Sequence, residues 1–196
     1  MTQVFFESLA QTAALVRERE RTKYAEPFET ERLLLRPFAA GDLEEAMAFY
    51  VSDRGRWHGA GPSEGAGRAW RIAATLLGHW QIHNYGTYTL VEKATRTCIG
   101  AVGIFHPEDW PEPELGWSIW TEPAEGRGFA HEAAQAVLQR YLRDFNWPTL
   151  VSYIDPENAR SIALALRLGA EFDTHADRPN ATCHVYRHKL NVRATS

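Results

Sequence analysis

The chain has 196 residues, 44% of them hydrophobic, with a formal net charge of -4 and a pI near 6.1. That length fills one core, and the acidic balance argues against a dedicated nucleic-acid binder, which carries a basic surface. Cys98 and Cys183 are the only cysteines. Without a tight spacing they read as free thiols in a reducing cytoplasm, not as a disulfide scaffold or a zinc cluster. Residues 1–20 contain Glu7, Glu18 and Glu20 and no long apolar run, so a secretory signal is not expected there. No segment approaches membrane-spanning length either, so a soluble protein without a membrane partner is expected.

In chain order, residues 5–21 show helical spacing and end in the charged run Arg17 to Arg21, which predicts an N-terminal helical extension over 1–28 with a short linker at Ala25-Glu26-Pro27. The main domain, 29–196, opens with a strand over Glu31 to Phe38. Asp42 is placed to cap a helix through Val51 that buries Leu43, Ala46, Met47 and Tyr50. Residues 55–67 hold five glycines and one proline and read as a loop. A helix from Arg68 to His83 follows, burying Trp70, Ala73, Ala74, Leu77 and Trp80. Tyr88 to Glu92 and Cys98 to Phe105 form a hairpin turned by Lys93 to Thr97. A long loop, His106 to Pro113, leads to a buried strand over Glu114 to Trp120. The helix after it repeats Ala133, Ala134, Val137, Leu138, Tyr141, Leu142 and Phe145. Val151 to Ile154 is a short strand, and Ala159 to Leu168 a helix closed by Gly169. Strands near Ala170 to His175 and Thr182 to Leu190 finish the chain. This order argues for a mixed α/β (α+β) sheet and against a doubly wound one, which needs strands and helices alternating throughout.

Glu125-Gly126-Arg127-Gly128-Phe129-Ala130 lies where the chain leaves a strand and opens a helix. Glycines there permit a tight turn and close approach of a ligand to the amides. The helix start adds unpaired N–H donors and a positive dipole end, which suits a phosphate, and Arg127 adds a cation. The functional reading is a pyrophosphate cradle, although many glycine-rich turns of this kind bind nothing.

With Asn158-x-x-Ser161, Leu168-Gly169-Ala170-Glu171-Phe172 and the opening Thr30-Glu31-Arg32-Leu33-Leu34-Leu35-Arg36-Pro37, this loop resembles the GNAT superfamily of N-acetyltransferases. The opening is similar to the branch that acetylates ribosomal-protein N-termini, and the likeness spans residues 29–190. Gly126, Arg127, Gly128 and Ala130 match the family loop, whereas Glu125 stands where Gln or Arg is the rule. A carboxylate there repels phosphate unless it points away.

The resemblance implies a mostly antiparallel central sheet flanked by helices, acetyl-CoA as co-substrate, and a primary amine as acceptor (a protein N-terminus or a small molecule). A homodimer is a family expectation as well. It implies pyrophosphate on the amides of Gly126, Arg127, Gly128, Phe129 and Ala130, and a pantetheine arm beside Leu115, Trp117, Ile119 and Trp120. Asn158 would hold the pantetheine amides and Ser161 the departing thiolate; both positions equally suit helix capping. An attacking amine must be neutral, so a proton acceptor is needed. Glu114 is the first candidate, with an ordinary solvated role in the acidic stretch 108–114 as its alternative. Tyr153 and Tyr186 are weaker candidates for acids. Trp57 and Trp110 could line an acceptor pocket in which Asp109, Glu112 and Glu114 attract a cationic amine.

Other chemistries fit less well. His79 and His83, and His184 and His188, are four apart but lack a third ligand and the metalloprotease glutamate. No Gly-x-Ser-x-Gly occurs, and Cys98 and Cys183 sit in apolar strands where thiols are inert. A nicotinamide enzyme would need a third glycine where His131 stands. A non-catalytic acyl-CoA sensor of the same fold is the runner-up, kept alive by Glu125 and by the two readings open for Glu114 as the base.

Overall fold

Strand and helix positions follow the apolar periodicity closely, and one break in the sheet makes the site. The computed structural model describes residues 25–59, 61, 62, 64–144 and 148–190. The extension expected over 5–21 lies outside these residues, as does Phe145. Among the described residues, β1 (Phe28–Glu29), β2 (Leu33–Pro37), β3 (Thr87–Glu92), β4 (Cys98–Phe105), β5 (Glu114–Ile119), β6 (Val151–Ile154), β7 (Glu171–Asp173) and β8 (His184–Arg187) form one sheet. Its order is β1-β2-β3-β4-β5-β6-β8-β7. Every neighbouring pair is antiparallel except β5 and β6. The helices are α1 (Leu43–Tyr50), α2 (Gly65–His83), α3 (Phe129–Asp144) and α4 (Ala159–Arg167), and a 3-10 turn spans Asp53–His58.

The parallel pair is the exception that matters. β5 runs in register with β4 from Glu114 to Ile119, yet it meets β6 only at Glu114↔Val151. The Val151 N–H donates to Pro113 O at 3.0 Å and Ser152 Oγ donates to Leu115 O at 2.6 Å, which pins the strands at that end. Beyond it they diverge, and the β6-facing edge of β5 has no strand partner. α3 covers the sheet there with Ala133, Ala134, Val137 and Tyr141, all at most 1% exposed.

Two expectations need correcting. Asp42 precedes α1 but does not cap it through its side chain. The carboxylate accepts instead from Arg36 at 2.6 and 2.8 Å, from the Ala39 N–H at 2.9 Å and from Thr89 Oγ1 at 2.7 Å. Burial would raise its pKa, but these donors hold it below the usual carboxylate range. The second correction concerns α2, which starts at Gly65 and buries Ala69, Ala73, Leu76 and Trp80. Trp70 is 53% exposed. The core stripe is rotated by about one residue from the one centred on Trp70, and small Ala69 takes the inward place, allowing α2 to lie close to its neighbours.

Candidate functional site

The loop after β5 has the geometry of a cradle. Gly126 and Gly128 have φ of 71° and 82°, left-handed values that glycine adopts without the penalty other residues carry. The Glu132 N–H donates to Gly128 O at 3.1 Å, which makes Gly128 the residue that opens α3. The amides of the following first turn have no acceptor within the helix and sit at its positive end.

The loop's side chains do other work than expected. Arg127 donates to Glu92 Oε1 at 2.7 Å and stacks on the Phe129 ring at 4.6 Å, so it braces the loop and is not a free cation. Arg32 stacks on the same ring at 4.5 Å. It also donates to Arg127 O at 2.9 Å and pairs with Glu132 at 2.6 Å. Phe129 is 1% exposed, so its side chain is packed beneath the two guanidinium groups and not offered to a ligand. Glu125 is held by Arg54, whose NH2 group lies 2.6 Å from it, and by Arg160. Burial pushes the Glu125 pKa up, but the Arg160 hydrogen bond and the Arg54 charge keep it lowered. The carboxylate is therefore turned onto two guanidinium groups and is balanced by them.

Along β5 alternate residues direct their backbone groups to opposite edges. The Trp120 N–H donates to Ile99 O at 2.7 Å, toward β4, so Leu115, Trp117 and Ile119 face the open edge. Leu115 O is taken by Ser152 and Ile119 O by Arg54 at 2.9 Å. The Trp117 N–H and C=O and the Ile119 N–H remain for an extended ligand. The side chains of Leu115 and Trp120 are 0% and 6% exposed, and the Trp120 indole donates to Ser118 Oγ at 2.9 Å. Neither side chain is offered to the cleft.

A cavity of about 630 Å³ occupies the splay and brings together Glu114, Trp117, Tyr153, Asn158 and Ser161. The Trp110 indole donates to Glu114 Oε2 at 2.8 Å. The Trp110 ring is wedged edge-on between Phe105 and Tyr153, at 5.5 and 6.3 Å. Glu114 opens onto the cavity and so keeps some exposed surface, while protein surrounds it in every other direction. That desolvation pushes its pKa up to about 7, against lowering hydrogen bonds from Trp110 and the Tyr153 backbone. A carboxylate poised there ionises in the range where a general base is useful.

On the opposite wall Asn158 Oδ1 accepts the Ser161 N–H at 3.2 Å and caps α4, leaving the Asn158 NH2 donors unspent. Ser161 Oγ accepts from the Trp117 indole at 3.2 Å, which leaves its own proton to donate. The Tyr153 hydroxyl is buried without a partner among the described residues. Burial, then the Glu112 charge, push its pKa up to about 12. Glu112 itself does not face the cavity. It is paired with Arg187 at 2.6 and 2.9 Å and with Thr149, so it is withdrawn from the acceptor role expected of it. His79 is likewise spent: Nδ1 bonds Tyr85 O at 2.8 Å and Nε2 accepts the His106 N–H at 2.9 Å.

Sequence reasoning missed Arg54, 71 residues from Glu125, and no local signal could have joined them. Trp110 was visible only as a loop tryptophan; its spacing of four from Glu114 was the available clue.

A family model for an acetyltransferase (GNAT) domain matches residues 32–171. An acetyltransferase from Agrobacterium tumefaciens str. C58 is 36% identical, with 84% of this chain and 94% of that one aligned at a TM-score of 0.76. A ribosomal-protein-alanine acetyltransferase from Vibrio fischeri is 16% identical over 85% of this chain and 97% of its own, at a TM-score of 0.60. RimL, a ribosomal alpha-N-protein acetyltransferase solved with coenzyme A, is 14% identical over 86% of this chain and 100% of its own, at 0.63. The last two show likeness of fold.

Proposed function

Because the chain belongs to the GNAT acetyltransferase family, we propose that it transfers the acetyl group of acetyl-CoA to a primary amine while both are bound. The observation that carries this reading is the splay: Glu114 on β5 and Ser161 at the start of α4 open onto one cavity across the gap between β5 and β6. The pyrophosphate is assigned to the amides of Gly126, Arg127, Gly128, Phe129 and Ala130, at the open end of α3. The pantetheine is assigned to the free edge at Trp117 and Ile119, as an added strand would pair, with the Asn158 NH2 reaching its amides.

The amine nitrogen attacks the thioester carbonyl carbon, and the carbon–sulfur bond breaks as the amide bond forms. Glu114 accepts the proton lost by nitrogen, directly or through one water. The Ser161 hydroxyl donates a hydrogen bond to the sulfur that takes up the electron pair, and CoA leaves as a thiolate that is protonated by solvent. The acceptor is a protein N-terminus or a small amine; the fold shared with ribosomal-protein acetyltransferases motivates testing the first. The charge balance at Glu125 weakens one of the two features that favoured a non-catalytic sensor; the other, the identity of the base, is tested at Glu114.

The test is transfer of labelled acetyl from acetyl-CoA to a panel of peptides and amines, with release of free CoA measured alongside. Acetyl-CoA should also raise the melting temperature, because a ligand that binds only the folded state stabilises it. A shift with NAD or ATP but none at millimolar acetyl-CoA would sink the reading.

A further inference from the structure

The cavity has a basic rim that the transfer chemistry does not need. Arg56 leaves the 3-10 turn, and Arg68 and Arg71 lie one turn apart on the first part of α2; all three line the cavity. All three are exposed, and none forms an ion pair with a described carboxylate. Their hydrogen bonds and ring contacts are to neutral groups. Arg56 donates to Asp53 O at 3.0 Å and stacks on Trp57 at 4.6 Å, and Arg68 donates to Gly59 O at 3.0 Å.

Elsewhere Arg32, Arg36, Arg54, Arg127, Arg160 and Arg187 are each matched to an acid. In a chain with a net charge of -4, acids are in surplus, yet no described one is paired with these three. Three like charges around one opening repel each other unless something negative joins them. The cavity's own carboxylates, Asp109, Glu114 and Asp155, come from the β5 and β6 side. Asp155 is occupied in part by the Glu157 N–H at 2.8 Å.

We propose that the acceptor carries negative charge of its own: its amine goes to Glu114 and a carboxylate at the other end of the molecule goes to the Arg56, Arg68 and Arg71 rim. This rests on the acetyl-transfer reading above and names the substrate class it takes. The two poles also set direction. The rim holds the acidic end at the mouth, so the amine enters the cavity first, and an acceptor with a basic tail is repelled at the same rim. The sequence alone pointed to a cationic amine drawn by Asp109, Glu112 and Glu114; with Glu112 spent on Arg187, the mouth is dominated by the arginines.

The experiment measures kcat/KM for matched acceptors that differ only in charge. One arm is a peptide with acidic residues after its amino terminus, against the same peptide with the amides and with lysines. The other arm is a small amine bearing a carboxylate, against its amide. Acidic acceptors should win in at least one arm, and the arm with the higher kcat/KM identifies the source as peptide or small molecule. The joint variant Arg68→Gln, Arg71→Gln should shrink the acid-over-amide ratio about five- to tenfold, mainly through KM, and raising the salt should shrink it too. Arg68→Glu with Arg71→Glu should invert it.

Acetyl-CoA affinity is measured on the same variants. A loss confined to acetyl-CoA would assign the arginines to the cofactor and overturn the proposal. So would equal rates on acidic, amide and basic acceptors. Absence of transfer to every acceptor, with no acetyl-CoA binding, overturns the transfer reading itself and is thereby told apart.

Discussion

The two ends of the cleft handle charge in opposite ways. Around the glycine loop Glu125, Arg127, Arg32 and Glu132 are all paired, and the backbone is left to meet the ligand. Around the cavity Glu114 has hydrogen-bond donors for company, and among the described residues the Tyr153 hydroxyl has no partner and three lining arginines have no acid. A cradle for a ligand of fixed shape gains from being rigid before the ligand arrives, so its side chains serve the loop. A group that must move a proton cannot be tied up in a strong ion pair, which would pull its pKa far from the working range.

The largest expected effect breaks the reactive end. Glu114→Gln should lower the acetylation rate by about a hundredfold to ten-thousandfold at neutral pH, with acetyl-CoA affinity hardly changed. In the native protein kcat should rise with pH through about 7, because the base works in its ionised form, and the variant should lose that inflection. Stability should move the other way. A carboxyl whose folded pKa is raised costs stability progressively as pH climbs from its ordinary 4.5 to about 7. The substitution should therefore stabilise the protein above pH 7, by no more than about 3 kcal/mol and by less because the group opens onto the cavity. A pH profile unaltered in the variant would remove Glu114 from the role.

Gly128→Val tests the rigid end. At φ 82° a branched residue costs roughly 1–2 kcal/mol or more, and its bulk occupies the cradle. Losing two charge-assisted hydrogen bonds at about 1.5–3 kcal/mol each should weaken acetyl-CoA binding about a hundredfold or more. Calorimetry that finds a folded variant with native affinity would put the pyrophosphate elsewhere. Ser161→Ala should be milder, about five- to a hundredfold in rate, with binding retained. A native rate across pH would leave the Ser161 hydroxyl as a partner of Trp117 alone.

The contrast between the ends also explains what the sequence could tell. Local features were legible: the hairpin through Lys93 to Thr97, β6 at Val151–Ile154, and the glycine pair between β5 and α3. These depend on period and on turn chemistry within a few residues. Side-chain partners were not legible wherever they crossed the fold. Glu125 read as a repulsive anomaly because Arg54 and Arg160 are 71 and 35 residues away. Glu112 read as a free acid because Arg187 is 75 residues on. Trp70 read as core because its size outweighed Ala69 in the pattern, while the packing of α2 chose the smaller residue. Glu114 was identifiable as a carboxylate at a strand start; its raised pKa depends on walls that Trp110 and Tyr153 build only in the folded chain.

The smallest expected effect sharpens the comparison at its boundary, where Glu125 sits between cradle and cavity. Glu125→Gln keeps a hydrogen-bond acceptor for Arg54 but removes one negative charge, so the cradle becomes more positive. Acetyl-CoA affinity should then rise modestly, about two- to fivefold at low ionic strength, and the gain should fade as salt screens it. Stability should fall slightly. The Glu125 pKa is lowered in the fold, so the native carboxylate stabilises above its ordinary 4.5 and loses that contribution as pH drops below it. Because Arg160 is 83% exposed, the loss at neutral pH should stay within about 1 kcal/mol. Titration calorimetry at two salt concentrations decides between two roles. A higher affinity means that Glu125 only balances its arginines. A loss of more than about threefold means that the charge holds Arg54 on Ile119 O and Trp120 O, and through them fixes the end of β5 against which the cofactor is proposed to lie.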